Sequence, residues 1–320
     1  MKLHLYAELT KKLNRSRNSV ERFISNAPMK YKVYTIPKRT SGQRVIAHPA
    51  KKLKVLQRAL VAVLQPHFSI HDKAMAYRKG LGIKQNATLH QKNDYLLKLD
   101  FNDFFNSITP EIFIKYCTQK EIELSDAEKK LLIKTFFWNK TKKTDGKLVL
   151  SVGAPSSPFL SNVLMFGFDE FIENYCSQKN ISYSRYADDL TFSTSDKNVL
   201  FHIPKLVKTQ LGLMFFNQIT INEFKTVFSS KAHNRHVTGV TLNNNGELSI
   251  GRGRKRLISS LIHKFMHGEL DIELTRHLQG LLSFASDIEP IFKSRMEIKY
   301  SHKLIESIVK FRGEHEQKNQ

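Results

Sequence analysis

Two adjacent aspartates, Asp188 and Asp189, sit in Tyr186-Ala187-Asp188-Asp189 between two runs that carry the period of a half-buried strand. Ile181 and Tyr183 alternate with small polar residues on one side, and Leu190 and Phe192 do so on the other. The spacing predicts strands over 181–185 and 190–193 and places both carboxylates at the tip of a hairpin. Paired carboxylates repel each other and cost solvation, so a fold gains little by holding them together. A divalent cation reverses that balance, because oxygen-rich carboxylate sites suit Mg²⁺. The plainer reading is a polar turn, in which Asp is common. The tetrapeptide alone does not separate the two.

A second stretch shifts the balance. Tyr95-Leu96-Leu97-Lys98-Leu99-Asp100 is a mostly apolar run that ends in a carboxylate and is followed by Phe101-Asn102-Asp103-Phe104-Phe105. Read alone, Asp100 is also an ordinary strand end. One Asp delivered by a strand beside a hairpin that delivers two more is what two-metal phosphoryl transfer needs. There, cations about 4 Å apart activate the attacking oxygen and stabilise the leaving one.

Charge narrows the partner. The 320 residues carry 51 Lys and Arg against 29 Asp and Glu, a net of +22, and residues 1–100 hold 21 of the bases and only 5 of the acids. Scattered surface lysines explain such an excess poorly. A polyanion explains it through counterion release and electrostatic steering, so nucleic acid is the expected partner. No lipidation motif accompanies the bases, and no run reaches the roughly 18 apolar residues of a membrane span. The early charges of Lys2, His4 and Glu8 do not read as a signal peptide. Cys117 and Cys176 have no CxxC partner and read as reduced thiols of a cytoplasmic protein. The length suits a large core divided among two or three subdomains.

Taken in order, residues 3–27 read as helical, with Asn18 or Ser19 capping a second piece. Strands over 31–36 and 44–48 flank a turn at 37–42 and form a basic hairpin. Its Arg44 is either placed to reach a phosphate or an exposed charge. Residues 51–64 form an amphipathic helix stopped by Pro66, and 68–82 is irregular basic chain. Gly80-x-Gly82 lacks the strand–helix context of a dinucleotide site. His90, as a lone His, reads first as a structural hydrogen-bonder. Ser125 and Glu128 make a capping box for a helix running to about Trp138, followed by a basic loop over 140–147. Ser151 to Pro158 breaks regular structure, and its small side chains permit a close approach. Helices follow over 159–176 and 198–211. Lys225 faces either solvent or an anionic site. Strands over 237–242 and 247–250 form a hairpin across Asn244-Asn245-Gly246, and Gly251 to Arg256 is a basic patch opening a helical C-terminal region. His263 and His267 share a helix face without an acidic third ligand, so zinc is not expected. Residues 313–320 read as frayed.

In this order the basic hairpin, the Asp100 strand, the Gly153–Pro158 loop, the Tyr186–Asp189 turn and the Asn222/Lys225 stretch resemble the successive blocks of a reverse transcriptase. Asn86-Ala87-x-x-His90 and Val237-Thr238-Gly239 resemble the two hallmarks of the bacterial retron enzymes, and the likeness runs from about residue 30 to 310. The resemblance implies an α+β right-hand polymerase fold. Its expected parts are N-terminal helices and fingers over 1–95, a palm of antiparallel sheet and helices over 96–240 interrupted by a fingers segment at about 111–150, and a hairpin with a helical, RNA-recognising thumb over 241–320. It implies that Asp100 and Asp188 ligate two Mg²⁺ ions, with Mn²⁺ able to substitute and Asp189 beside them. Phe105 would exclude a ribose 2′-OH, and Arg44, Gly153 and Lys225 would join it in binding the dNTP. Asn86, His90, Val237, Thr238 and Gly239 would serve as family motifs, with Arg252, Arg254, Lys255 and Arg256 contacting RNA.

The implied partners are dNTPs, an effector protein and a cognate non-coding RNA of the msr–msd type. That RNA is both the template and, through a guanosine 2′-OH, the primer. The product is a branched RNA–DNA molecule, msDNA, in anti-phage defence, with no membrane involved. The chain is expected to lack an RNase H, maturase or endonuclease domain. One departure stands out: Val152 replaces the Gln usual in the family, which removes a polar contact to the incoming nucleotide but touches no metal ligand. The competing class is a non-catalytic RNA-binding scaffold of a toxin or defence complex, which would not require Asp100, Asp188 and Asp189 together. Palm-fold cyclases also use paired acids but leave the basic excess unexplained.

Overall fold

A computed structural model describes residues 2–38 and 42–312. It opens with helices α1 (Leu5–Leu13) and α2 (Arg17–Ile24). Ser16, rather than Asn18 or Ser19, caps α2: its side chain accepts the Ser19 amide. Strands β1 (Tyr31–Pro37) and β2 (Gln43–Pro49) pair antiparallel from Tyr31↔Pro49 to Pro37↔Gln43. Three residues of the expected turn, Arg39 to Ser41, lie outside the described residues, as does the expected frayed segment 313–320. Helix α3 (Lys51–Leu64) buries Leu53, Leu56, Leu60 and Leu64, a stripe at helical spacing, and packs against α1. The chain then runs irregularly to α4 (Ile83–Thr88), a helix the motif reading did not anticipate.

The central sheet has the order β6-β7-β3-β8, all antiparallel, from β3 (Tyr95–Asp100), β6 (Ser182–Tyr186), β7 (Asp189–Thr194) and β8 (Val227–Ser230). The two-residue repeat of a strand gives the sheet two unlike faces. Leu97, Leu99, Tyr183, Leu190 and Phe192 enter the main hydrophobic cluster. Lys98, Asp100, Ser184, Asp189 and Ser193 share the other face. Between β3 and β6 lie α5 (Phe104–Ser107), α6 (Pro110–Gln119), α7 (Asp126–Phe136), the short hairpin β4 (Trp138–Asn139) with β5 (Leu148–Val149), α8 (Ser157–Leu164) and α9 (Phe166–Ser177). The capping box at Ser125 and Glu128 forms, and Glu128 Oε1 also accepts the Leu5 amide at 3.1 Å, tying α7 to the N-terminus. The helix expected over 159–176 is two helices that meet at Met165, where ψ is −1° and the helical geometry is interrupted.

After α10 (Ile203–Phe215), β9 (Arg235–Val237), β10 (Val240–Leu242) and β11 (Leu248–Ser249) form a second antiparallel sheet. The single strand expected over 237–242 is instead broken into parts of two paired strands. Thr238 (φ 46°) and Gly239 (φ 82°) reverse the chain so that Val237 pairs with Val240. Positive φ at both loop positions gives the tight turn whose twist matches its strands. Helices α11 (Arg252–Met266), α12 (Ile272–Ile288), α13 (Pro290–Tyr300) and α14 (His302–Lys310) complete the chain. They share a second hydrophobic cluster with Val237, Val240, Ala87 and Leu96, so strands on both sides of the expected 240/241 boundary pack as one body. The arrangement is the right-hand polymerase fold of fingers, palm and thumb. Among the described residues no helix is long and apolar enough to cross a membrane.

Candidate active site

Asp100 ends β3 directly opposite Asp189 of β7, and Asp188 is one of the two residues closing the β6–β7 hairpin. Ala187 takes φ 58° to make that closure. The backbones are fixed from both sides: the Phe101 amide donates to the Asp188 carbonyl at 3.1 Å, and the Asn222 amide donates to the Asp100 carbonyl at 2.7 Å.

Beneath the turn, Arg185 and Asp169 form a fully buried ion pair. Arg185 Nη2 donates to Asp169 Oδ2 at 2.6 Å and Nε to Oδ1 at 2.8 Å, while Nη1 donates to Asn162 Oδ1 at 3.0 Å and to the Ala187 carbonyl at 3.2 Å. Tyr183 Oη also donates to Asp169, at 2.8 Å. The Arg185 backbone bonds Lys73 and Met75, laying that segment along β6 and carrying Tyr77 (φ 63°) to the cleft. The charge of Asp169 thus holds the guanidinium that holds the acid turn. Periodicity did not reveal it, because both residues sit at positions that read as ordinary helix and strand.

Charge is concentrated at the strand ends. Partial burial, and then the charges of Asp188 and Asp100, push the Asp189 carboxyl up to about 7, even though solvent reaches its side chain. Burial and Asp100 raise Asp188 as well. Lys225 Nζ donates to Asp100 Oδ2 at 2.8 Å, and that hydrogen bond leads the upward shift of the ammonium, so of its two readings Lys225 takes the anionic one. Among the described residues no three acidic, imidazole or thiol groups converge closely enough to hold an ion. The donors that face each other are nonetheless all carboxylate oxygens in mutual repulsion, which is the environment a hard divalent cation relieves.

On the fingers side, a cavity of about 260 Å³ is lined by His48, Lys54, Arg58, Tyr77, Phe105 and the loop at Gly153. The Ala47 amide donates to the Val152 carbonyl at 2.9 Å. Gly153 has φ 120°, and a Cβ there would lie 3.1 Å from the Ala47 carbonyl oxygen, so the loop passes under β2 only as glycine. Val152 therefore supplies through its backbone a contact that its side chain does not decide. Phe105 is half-buried, its ring 6.4 Å from that of Tyr77. Arg44 is exposed on β2, and its charge acts on both Tyr77 and Asp188, which places it on the acid side of the cleft. Lys54, Arg58 and Tyr77 were missed. The two cations, four apart on the polar face of α3 directly after the Arg44 hairpin, were the available signal.

Of the family-motif residues, Asn86, His90 and Val237 are buried and so make no surface contact, and His90 is the structural hydrogen-bonder that its first reading gives. His90 bonds Ser193 through Nδ1 and Ser184 through Nε2, both at 2.8 Å, and burial followed by the Lys73 charge lowers its pKa to about 3. Only the tip, Thr238 and Gly239, reaches the surface. Two of the four basic residues are also engaged internally: Arg254 Nη1 donates to the Gly239 carbonyl at 2.6 Å, and Lys255 pairs with Glu289 at 2.5 Å. Arg252 and Arg256 are exposed. Arg252, Arg254 and Lys255 all line a groove of about 1030 Å³ between the β9–β11 sheet and α11, together with Lys231, His233 and His236. The His263 and His267 rings lie 4.6 Å apart with no third ligand among the described residues.

A family model described as reverse transcriptase (RNA-dependent DNA polymerase) matches residues 36–242. The chain is 53% identical over 281 residues to the retron Ec83 reverse transcriptase of Escherichia coli, covering 88% of this chain and 90% of that one. To the retron Ec73 reverse transcriptase of the same organism it is 30% identical, covering 87% and 89%. To the retron Ec86 reverse transcriptase, also from Escherichia coli, it is 29% identical, covering 93% and 88%.

Proposed function

The chain belongs to the bacterial retron reverse transcriptases, RNA-directed DNA polymerases, and from that premise we propose that it copies a cognate msr–msd type RNA into DNA from the 2′-OH of a guanosine in the same RNA, leaving a branched msDNA. The observation that carries this reading is the pairing of Asp100 with Asp189 beside the Asp188 turn, with Tyr77 of the basic cavity near enough for the Asp188 charge to act on it. The reading extends to an effector protein as partner, to a role in defence against phage and to the cytoplasm as its place of action.

In the proposed reaction the primer hydroxyl oxygen attacks the α-phosphorus of a dNTP in line. The bond to the β-phosphate breaks, pyrophosphate leaves and the hydroxyl proton passes to solvent. Two Mg²⁺ ions, for which Mn²⁺ can substitute, would be held by Asp100 and Asp188 beside Asp189 and would supply charge neutralisation at the attacking and leaving oxygens. The chain's own groups position the reactants. Arg44, Lys54 and Arg58 bind the triphosphate, Lys225 orients the Asp100 carboxylate, and Phe105 with Gly153 shapes the floor beneath the sugar. Arg252 and Arg256 contact the RNA backbone.

Phe105→Ala is expected to raise the kcat/KM of CTP relative to dCTP by at least about tenfold, since a filled pocket rejects an added group by contact alone. An unchanged ratio in single-nucleotide extension would remove Phe105 from the sugar pocket. The function as a whole is tested on nucleic acid that co-purifies with the protein expressed beside its neighbouring RNA locus, treated with RNase and with debranching enzyme. A discrete short DNA joined through a 2′ linkage, absent in Asp188→Ala, is the expected result. RNA alone, unchanged in that variant, would mean that the palm serves as a scaffold.

A further inference from the structure

Behind the acids, a set of polar side chains that the reaction does not use is joined into one circuit. Ser184 on β6 and Ser193 on β7 share the sheet face of Asp100 and Asp189. Buried His90 spans them. The Asn86 Oδ1 oxygen only accepts, so Ser184 Oγ donates to it, at 2.7 Å. With its one proton committed, Ser184 accepts from His90, which makes Nε2 the protonated nitrogen. Nδ1 is then bare and accepts the Ser193 hydroxyl, whose oxygen in turn accepts from Asn93 Nδ2 at 2.8 Å. The remaining donor, Asn86 Nδ2, reaches Thr238 Oγ1 at 3.4 Å. Each proton has a single assignment, and a neutral imidazole satisfies all of them.

The far end of the circuit is unusual. Thr238 is β-branched yet holds φ 46°, a conformation for which glycine or asparagine is the ordinary choice. Its neighbour Gly239 takes the hydrogen bond from Arg254 of α11. A continuous line of contacts therefore runs from the first thumb helix, through the β9–β10 tip and α4, to both strands that carry the acid turn. Burial rules out an RNA contact for its middle members, and an apolar filling would pack the same space without needing a hydroxyl at a strained tip.

We infer that Thr238 is a positioning residue for polymerisation. Through Asn86, Ser184, His90 and Ser193 its hydroxyl locks the thumb-side hairpin to the catalytic hairpin, so that a primer end seated between palm and thumb meets the acids in one register. The inference rests on the assignment of Asp188 and Asp189 to the reacting site.

The test uses the full chain extending oligo(dT) on poly(rA) with dTTP and Mg²⁺, with kcat, KM for dTTP and melting temperature measured for each variant. Thr238→Val keeps shape and strain but removes the hydroxyl, and is expected to lower kcat about tenfold or more with KM for dTTP within about twofold, as small misplacements do. Thr238→Ser should recover most of the loss. Thr238→Gly, which relieves the strain without restoring the hydroxyl, should be as slow as the Val variant. Thr238→Val combined with Ser184→Ala should be no slower than the worse single variant, because both cut one line. Full activity per folded molecule in Thr238→Val, a Ser variant as slow as Val, or losses that multiply in the pair would each overturn the inference. Extension that survives Asp188→Asn would instead remove the site assignment beneath it.

Discussion

Asp188→Asn is expected to reduce primer extension by about a thousandfold or more while leaving RNA binding close to that of the unaltered protein and the melting temperature equal or slightly higher. The substitution keeps the shape of the side chain and deletes one charge from the strand-end group. Metal-assisted charge stabilisation is worth several kcal/mol at the transition state, and each 1.36 kcal/mol is about tenfold in rate. Stability moves the other way. Burial and Asp100 hold the Asp188 carboxyl above its ordinary value, and Asp189 is pushed to about 7. Carboxyls raised in the folded state bind protons more tightly there than in the unfolded chain. Their repulsion is therefore a cost at and above neutral pH that eases as the pH falls from about 7 toward the ordinary carboxyl range. Neutralising Asp188 relieves part of it. Filter binding to RNA, a thermal melt and steady-state extension on one preparation separate the effects. Extension within tenfold of the unaltered protein would show that Asp188 is not needed for the chemistry.

Asp169→Ala is expected to destabilise the fold by about 3–5 kcal/mol, because it leaves the Arg185 guanidinium buried without its counter-charge. At about 2–4 °C per kcal/mol for a large domain, the melting temperature should fall by on the order of 10 °C. Activity should fall further than the folded fraction does, since Arg185 Nη1 also holds the Ala187 carbonyl inside the acid turn. The paired change Asp169→Leu with Arg185→Met removes both charges and should recover much of the stability, because apolar replacement of a whole buried pair is often neutral. It should not recover activity, since the bond to Ala187 stays lost. A melting temperature unchanged in Asp169→Ala would show that the pair is not what supports the turn.

Most of the local structure was legible because its causes are local. The strand period around Asp188 and Asp189, the capping box at Ser125 and the amphipathic stripe of α3 each depend on residues a few positions apart. Strand β8 was missed for the opposite reason: Val227 to Ser230 is held by pairing with β3, more than a hundred residues earlier. The Thr238-Gly239 reversal was hidden because a β-branched residue inside an apolar run reads as strand, and only Asn86 and Arg254, brought from elsewhere, secure it in a turn.

By itself the sequence determined which acids end which strands, the net charge that selects a polyanionic partner, and the order of motifs that names the family. These are properties of composition and short-range spacing. Only the tertiary structure decided that Lys225 faces Asp100, that Lys54, Arg58 and Tyr77 line the cavity, that Arg254 and Lys255 find partners within the chain, and which two serines His90 joins. Each of these depends on where a flexible or polar side chain finds its partner. That is set by the packing of distant segments against one sheet, which periodicity along the chain does not record.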